Sequence, residues 1–236
     1  MTSRKTLVTL SLLTLFCVAA APLHAQNFLD LYDFNCNTGG CDPSDYSGLA
    51  QGTDGNLYGT DVGADSQTEI FMVTPSGTHT DLLALGDVLS PVTSGLTLAS
   101  DGNFYGTTCG GGTSNAGTVF RFTPPSSLTT LHNFNITDGY CPSSPPIQGK
   151  DGNLYGVTAA GTTYRVKVPA GTFTQLSNNA PYRVNARLLL ASDGNFYGTT
   201  EFGGTFNDGT VFSHDHNWLD HDLHVRVQRP DRPLTN

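Results

Sequence analysis

The densest run of potential ligand residues is the stretch "SHDHNWLDHDLHVRVQRPDRPLTN" at Ser213–Asn236. His214, His216, His221 and His224 stand there among Asp215, Asp220 and Asp222. Imidazole and carboxylate together form the donor set of zinc and other divalent ions. Such a site also needs outer groups that orient its ligands, and this stretch shares none of the order of the preceding chain. It holds four of the seven histidines, the sole tryptophan, Trp218, and three of the eleven basic residues. A permitted codon choice for it, read one base later, gives a Thr- and Ser-rich phrase close to "TPPSSLTTLHNFNITDG" at Thr123–Gly139. A frameshift just after Phe212 is therefore the expected origin of an aberrant tail over 213–236, and no metal is assigned to it.

A second set of acids is spaced along the chain: Asp54, Asp101, Asp151 and Asp193, followed by Gly55, Gly102, Gly152 and Gly194. Calcium loops need several further oxygens at fixed spacing. An Asp-Gly pair already has a role as a turn, and recurrence at four places fits architecture better than one active site. Glu69 and Glu201 are the two glutamates, and nothing pairs them as glycosidase acids. The chain has no nucleophile elbow, no H-E-x-x-H pair and no phosphate-binding loop. No catalytic residue, no metal ligand and no cofactor is expected. The cysteines Cys36, Cys41, Cys109 and Cys141 are disulfide candidates. Cys36 and Cys41 flank the flexible "NTGG" and are the favoured pair, and Cys109 with Cys141 would follow, although four cysteines allow three connectivities.

The elements that position these groups repeat. "SDGNFYGTT" occurs at Ser100–Thr108 and again at Ser192–Thr200, with near copies from Thr53 and Lys150. The Asp-Gly pairs lie 47, 50 and 42 residues apart. Within a unit, four apolar-alternating runs are separated by the Asp-Gly turn, a Gly-rich loop such as "CGGGTSNAG", and a "PPSS" turn. The Asp-Gly turn is read as a two-residue hairpin with both residues at positive φ. Each unit is thus a four-stranded antiparallel meander, and the period is that of a propeller blade. The expected fold is all-β: a β-propeller, or an open propeller-like arc, of about four four-stranded blades. Repeats fall near 48–94, 95–144, 145–185 and 186–212. Phe104, Tyr105, Val119, Phe120 and Phe122 are core candidates, with Phe196, Tyr197, Val211 and Phe212 in the matching places. "FLDLYDF" at Phe28–Phe34 resembles the fourth-strand phrase "LTTLHNF" at Leu128–Phe134, as if an early strand completed the last blade.

"DGNFYGTTCGGGTSNAGTVFRFT" and "DGNFYGTTEFGGTFNDGTVF" resemble the Gloeobacter/Verrucomicrobia-type (GloVer) tandem repeat of secreted bacterial proteins. The first unit departs, with "TEIF" at Thr68–Phe71 in place of Gly-Thr-Val-Phe, and the third has its loop nearly deleted. The resemblance implies a propeller-like fold and a secreted or cell-surface setting. It implies no catalytic residue.

Arg4 and Lys5, the apolar "TLVTLSLLTLFCVAAA" and a small residue at Ala25 read as a signal peptide over 1–25. The formal charge is −9, and becomes −11 once Arg4 and Lys5 are removed, nine basic side chains then facing twenty acidic ones. So acidic a chain repels nucleic acid and anionic lipid. The expected protein is an exported, non-catalytic binding or surface-display scaffold without a membrane span after cleavage, its partner an extracellular glycan or protein. The alternative is a secreted propeller enzyme acting on polysaccharide. Exported material is expected to begin at Gln26, and N-terminal sequencing that finds Met1 retained refutes the signal assignment.

Overall fold

In every repeat, one carboxylate organises the first hairpin. The Gly102 amide donates to the Ala99 carbonyl and the Ala99 amide to the Asn103 carbonyl, both at 3.0 Å. The loop is therefore three residues long, Ser100–Gly102, and only Gly102 has positive φ, at 81°. This corrects the two-residue turn expected from the sequence. A bulge at a left-handed glycine supplies the twist, and Asp101 keeps an ordinary backbone. Its carboxylate then accepts from the Asn103 amide (3.1 Å), the Asn103 side chain (2.9 Å) and the Tyr105 hydroxyl (2.7 Å). The same clasp forms at Asp54, Asp151 and Asp193, with tyrosine contacts of 2.8 Å to Tyr58, Tyr155 and Tyr197. The repeated phrase D-G-N-x-Y is the list of residues that this clasp requires.

These observations come from a computed structural model, which describes residues 29–35, 48–62, 68–86, 94–142, 144–177, 184 and 186–214. The leader expected over 1–25, Cys36 with Cys41, and the tail beyond His214 lie outside the described residues. The chain falls into two units, 1–30 and 31–236, and every strand among the described residues belongs to the second.

Among the described residues there are four antiparallel sheets in chain order. Sheet 1 holds β1 (Ala50–Gln51), β2 (Leu57–Val62), β3 (Thr68–Val73) and β4 (His79–Ala84). Sheet 2 holds β5 (Thr97–Leu98), β6 (Phe104–Thr108), β7 (Thr118–Thr123) and β8 (Ser127–Asn133). Sheet 3 holds β9 (Ile147–Gln148), β10 (Leu154–Val157), β11 (Thr163–Lys167) and β12 (Thr172–Ser177). Sheet 4 has three strands among the described residues, β13 (Leu189–Leu190), β14 (Phe196–Thr200) and β15 (Thr210–His214). Each is a meander with neighbours in sequence paired in space, as the repeat requires. The register is bulged on the fourth-strand side at Ile70/Phe71, Val119/Phe120 and Thr163/Tyr164.

The rest of the phrase follows from cross-strand pairing. Gly106 faces Phe120, and a Cβ at that position would overlap the Phe120 ring. Phe71, Tyr164 and Phe212 lie in the same way over Gly59, Gly156 and Gly198. The glycine after the clasp tyrosine thus makes room for the aromatic of the third strand, which covers it.

Successive sheets pack face to face. Tyr58 and Ile70 of sheet 1 meet Phe104 and Phe122 of sheet 2. Tyr105 and Val119 of sheet 2 meet Leu154, Tyr164 and Val166 of sheet 3, and Tyr155 and Val157 meet Phe196 and Phe212 of sheet 4. Each such side chain contributes roughly 1.5–3 kcal/mol by leaving water. All five core candidates of the second repeat are buried, as are Phe196 and Phe212, but Val211 is 63% exposed and Tyr197 only partly covered. They share the face that the next sheet would cover, and no described element does so.

The early segment resembles a fourth strand in its contacts as well as in its sequence. Tyr32 stacks on His79 and Phe34 meets Phe71 edge-on, with centroids 4.2 and 5.3 Å apart. His132 and Phe134 make the same two contacts with Phe173 and Tyr164 of sheet 3, at 3.5 and 5.3 Å. Leu31–Asn35 therefore lies on sheet 1 as the end of β8 lies on sheet 3.

The clasp makes predictions. Burial opposes ionisation of Asp101, but the bonds from Tyr105 and Asn103 outweigh it and hold its carboxyl below the ordinary 3.8. Burial and the Asp54 carboxylate push Tyr58 up to about 12. A depressed acid stabilises the fold above its unfolded pKa and loses that contribution as pH falls through the folded value. A raised tyrosine stabilises below its unfolded pKa and loses it as pH rises. Asp101→Ala should cost about 1–2 kcal/mol in urea melts at pH 7, and the gap from wild type should shrink below about pH 4. The gap between wild type and Tyr58→Phe should close as pH rises from about 10 toward 12.

Candidate functional site

In an antiparallel meander, the connection from second to third strand and the one leaving the fourth strand share one end of the sheet. At this end the repeats differ most. Between β6 and β7, Cys109–Gly117 wraps around Asn115, whose side chain accepts from the Gly111 amide at 2.8 Å. Between β14 and β15, Asn207 plays the same part for Gly203 at 3.2 Å. Sheet 3 replaces the loop with a tight turn in which the Gly161 amide bonds the Thr158 carbonyl at 2.9 Å. The corresponding segment of sheet 1, 63–67, lies outside the described residues. Exposed apolar side chains gather at the same end: Phe202 and Phe206 on the last loop, Ile136 and Tyr140 after β8. Cys109 and Cys141 form a disulfide that pins the Cys109–Gly117 loop to that connection.

A different chemistry sits on the outer face of sheet 1. Where sheets 2 and 4 pair Thr108 with Thr118 and Thr200 with Thr210 through their hydroxyls at 2.9 and 2.8 Å, sheet 1 pairs Asp61 with Glu69. Two more polar groups join them from β4. His79 stands opposite Val73, where sheets 2 and 3 have Leu128 and Phe173. Asp81 stands opposite Phe71, where they have Thr130 and Gln175. Ligand atoms of Asp61, His79 and Asp81 all lie within 4.8 Å of one another. Asp61 is fully buried, and neither of its carboxylate oxygens has a hydrogen-bond partner. Burial first, then the negative charges of Glu69 and Asp81, push Asp61 up to about 7. Burial also lowers the His79 imidazole, against the pull of Asp81.

Sequence reasoning missed this group. It found nothing to pair Glu69 with Glu201 as glycosidase acids and assigned no ligand here, because Asp61, His79 and Asp81 are adjacent only through the register of β2, β3 and β4. A signal was present: "YGTD" ends in Asp61 where the other repeats end in threonine. The four turn acids serve their clasps and do not converge. Asp151 and Asp193 approach one cleft, of about 380 Å³, between the first hairpins of sheets 3 and 4. Both have depressed pKa values, so neither suits a general acid. Elsewhere, Arg187 reaches across from the fourth repeat to the Thr97 hydroxyl of β5 at 3.0 Å.

A repeat-family sequence profile matches residues 14–166 and, overlapping it, 87–225. The chain belongs to the Gloeobacter/Verrucomicrobia repeat family. Among curated proteins, no match is found. Among solved structures, this member of the family is similar to virginiamycin B lyase from Staphylococcus aureus, solved with quinupristin. The two share 20% identity and a TM-score of 0.52 over 73% of this chain and 56% of the lyase. The repeat protein thus spans a little over half the length of that enzyme. It is also similar to the extracellular domain of a hybrid two-component system from B. thetaiotaomicron. That match has 15% identity and a TM-score of 0.49, over 73% of this chain and 23% of the other. The likeness to the lyase, a propeller-type protein, agrees with the four stacked sheets. It is a likeness of fold. No helix among the described residues is long and apolar enough to cross a membrane.

The Cys109–Cys141 bridge closes a loop of 32 residues, and chain-entropy arguments give such a closure about 3–4 kcal/mol. Reduced protein, or Cys109→Ser with Cys141→Ser, should lose about that much stability in urea melts. Equal midpoints with and without reductant would contradict the bridge.

Proposed function

We propose that this repeat protein is exported and acts without catalysis, as a scaffold that binds a glycan or protein outside the cell. The observation that carries the reading is the contrast between frame and loops. Clasp, glycine and covering aromatic recur in every sheet, while the second-to-third connections differ in length and composition. Variable loops held on rigid strands are where recognition commonly resides. Here they carry Phe202, 45% exposed, and Phe206, 70% exposed. Aromatic rings held in water by a well-anchored loop suit stacking on sugars or packing into a protein pocket. An acidic chain with a leader and a disulfide suits an oxidising compartment outside the cytoplasm.

One observation favours the second reading, a secreted propeller enzyme acting on polysaccharide. Asp61, near 7, has the protonation of a general acid and lies beside a second carboxylate, Asp81. Its complete burial keeps it from a polymer chain.

The purified mature protein should retain a subset of an immobilised glycan and protein panel. Phe202→Ser with Phe206→Ser should weaken that binding at least tenfold without moving the melting temperature. Turnover of a polysaccharide, abolished by Asp61→Asn, would replace this reading with the enzymatic one.

A further inference from the structure

We propose that sheet 1 carries a site for a divalent transition-metal ion, zinc or manganese, held by Asp61, His79 and Asp81.

Four positions on one face of this sheet depart from the repeat together. Asp61, Glu69, His79 and Asp81 replace Thr108, Thr118, Leu128 and Thr130 of sheet 2, and Thr158, Thr162, Phe173 and Gln175 of sheet 3. Architecture does not demand the change, because threonines close the other sheets, by a hydroxyl pair in sheets 2 and 4 and by the Thr162 amide on the Thr158 hydroxyl in sheet 3. The charged version is costly on its own. A carboxylate buried without a donor loses its hydration with nothing in return. Asp61 is in that state, with both oxygens unpartnered. The His79 side chain is 93% buried, and its Nε2 also lacks a hydrogen-bond partner.

These two orphaned groups face one another and Asp81. His79 Nε2 lies 3.6 Å from an Asp81 oxygen, beyond hydrogen-bond range. A cation between them would take a lone pair from each of the three side chains at once. One imidazole with two carboxylates is a borderline donor set that suits zinc or manganese, while calcium and magnesium prefer oxygen alone. The strands place the ligands. β2 supplies Asp61, β4 supplies His79 and Asp81, and the bulge opposite Ile70/Phe71 re-aims the β4 side chains over β3. Tyr32 stacked on the imidazole fixes the ring plane. Asp81, at 45% exposure, leaves a path for the ion from solvent. Glu69 stands beside Asp61 as a further negative charge, which makes the net field of the site attractive to a cation. Bound ion would tie the second strand of the sheet to the fourth, and open coordination positions would remain for water or a ligand atom.

The test uses the whole mature protein, stripped with EDTA and titrated calorimetrically with zinc chloride and with manganese chloride. Binding of one ion per chain at micromolar or tighter Kd is expected for at least one of them. At a hundredfold excess over Kd the melting temperature should rise by roughly 5–10 °C. Asp61→Asn and His79→Phe should each weaken binding at least tenfold. Asp61→Thr with Glu69→Thr, which restores the threonine pair, should abolish binding while the metal-free protein melts no lower than wild type. That variant guards against a loss that merely reports unfolding. Replacing His214, His216, His221 and His224 by alanine should leave the binding intact. No binding up to 1 mM of either ion, binding unchanged in Asp61→Asn and His79→Phe, or binding lost with the four tail histidines would each overturn the proposal.

Discussion

A carboxylate that accepts three hydrogen bonds from residues two and four places downstream leaves its hairpin little freedom. The Asp101 clasp ties the turn to Asn103 and, through Tyr105, to the interior of the second strand. Everything outward depends on it. With Tyr105 held down on one face of the sheet, the alternation of the strand sends Phe104 to the other, where it meets Tyr58 of the preceding sheet at 4.4 Å. Gly106 is then placed opposite Phe120, whose ring requires the absence of a Cβ. One local interaction thus sets the register of two strands and aims both faces of the sheet at their neighbours. Because the interaction is charge-assisted and mostly at the surface, its strength lies in geometry more than in burial.

That constraint also separates structure from chemistry in this chain. An acid serving a clasp is spent: its oxygens are filled, and its pKa is depressed. Asp54, Asp101, Asp151 and Asp193 all meet that description. Asp61 is the opposite case, with empty oxygens and a raised pKa, in a position where the other repeats carry a neutral hydroxyl. A repeat protein offers its own control experiment. Each blade shows what the frame needs, so a residue that differs in one blade stands out against three internal references.

The fold was readable from the sequence because its determinants are local. Asp-Gly pairs, the Gly-rich loops and the prolines mark strand ends within a few residues, and the period supplies the architecture. The turn type was misread because D-G alone does not distinguish a two-residue turn from a three-residue loop closed by a left-handed glycine. The backbone bonds of Ala99 with Gly102 and Asn103 decide that. Tyr197 and Val211 were placed in the core by analogy with Tyr105 and Val119, although burial depends on what covers a face and not on the strand that bears it. The ligand cluster was illegible for a third reason. Asp61 and Asp81 are twenty positions apart in the chain, and only strand register and a bulge make them neighbours.

Among the described residues the apolar clusters join each sheet to its neighbours in sequence, and the polar contact of Arg187 with Thr97 is an exception that skips a sheet. Such a chain is close to one-dimensional in its energetics. Its assembly need not wait for the far end of the polypeptide. A sheet leaving a ribosome finds its docking surface already formed by its predecessor, and no long loop has to close first. The same arrangement sets the response to force. Pulled from its ends, a stack with nearest-neighbour contacts yields one sheet at a time, so that extension proceeds in steps of one repeat length. The Cys109–Cys141 bridge would shorten one such step by the segment it encloses.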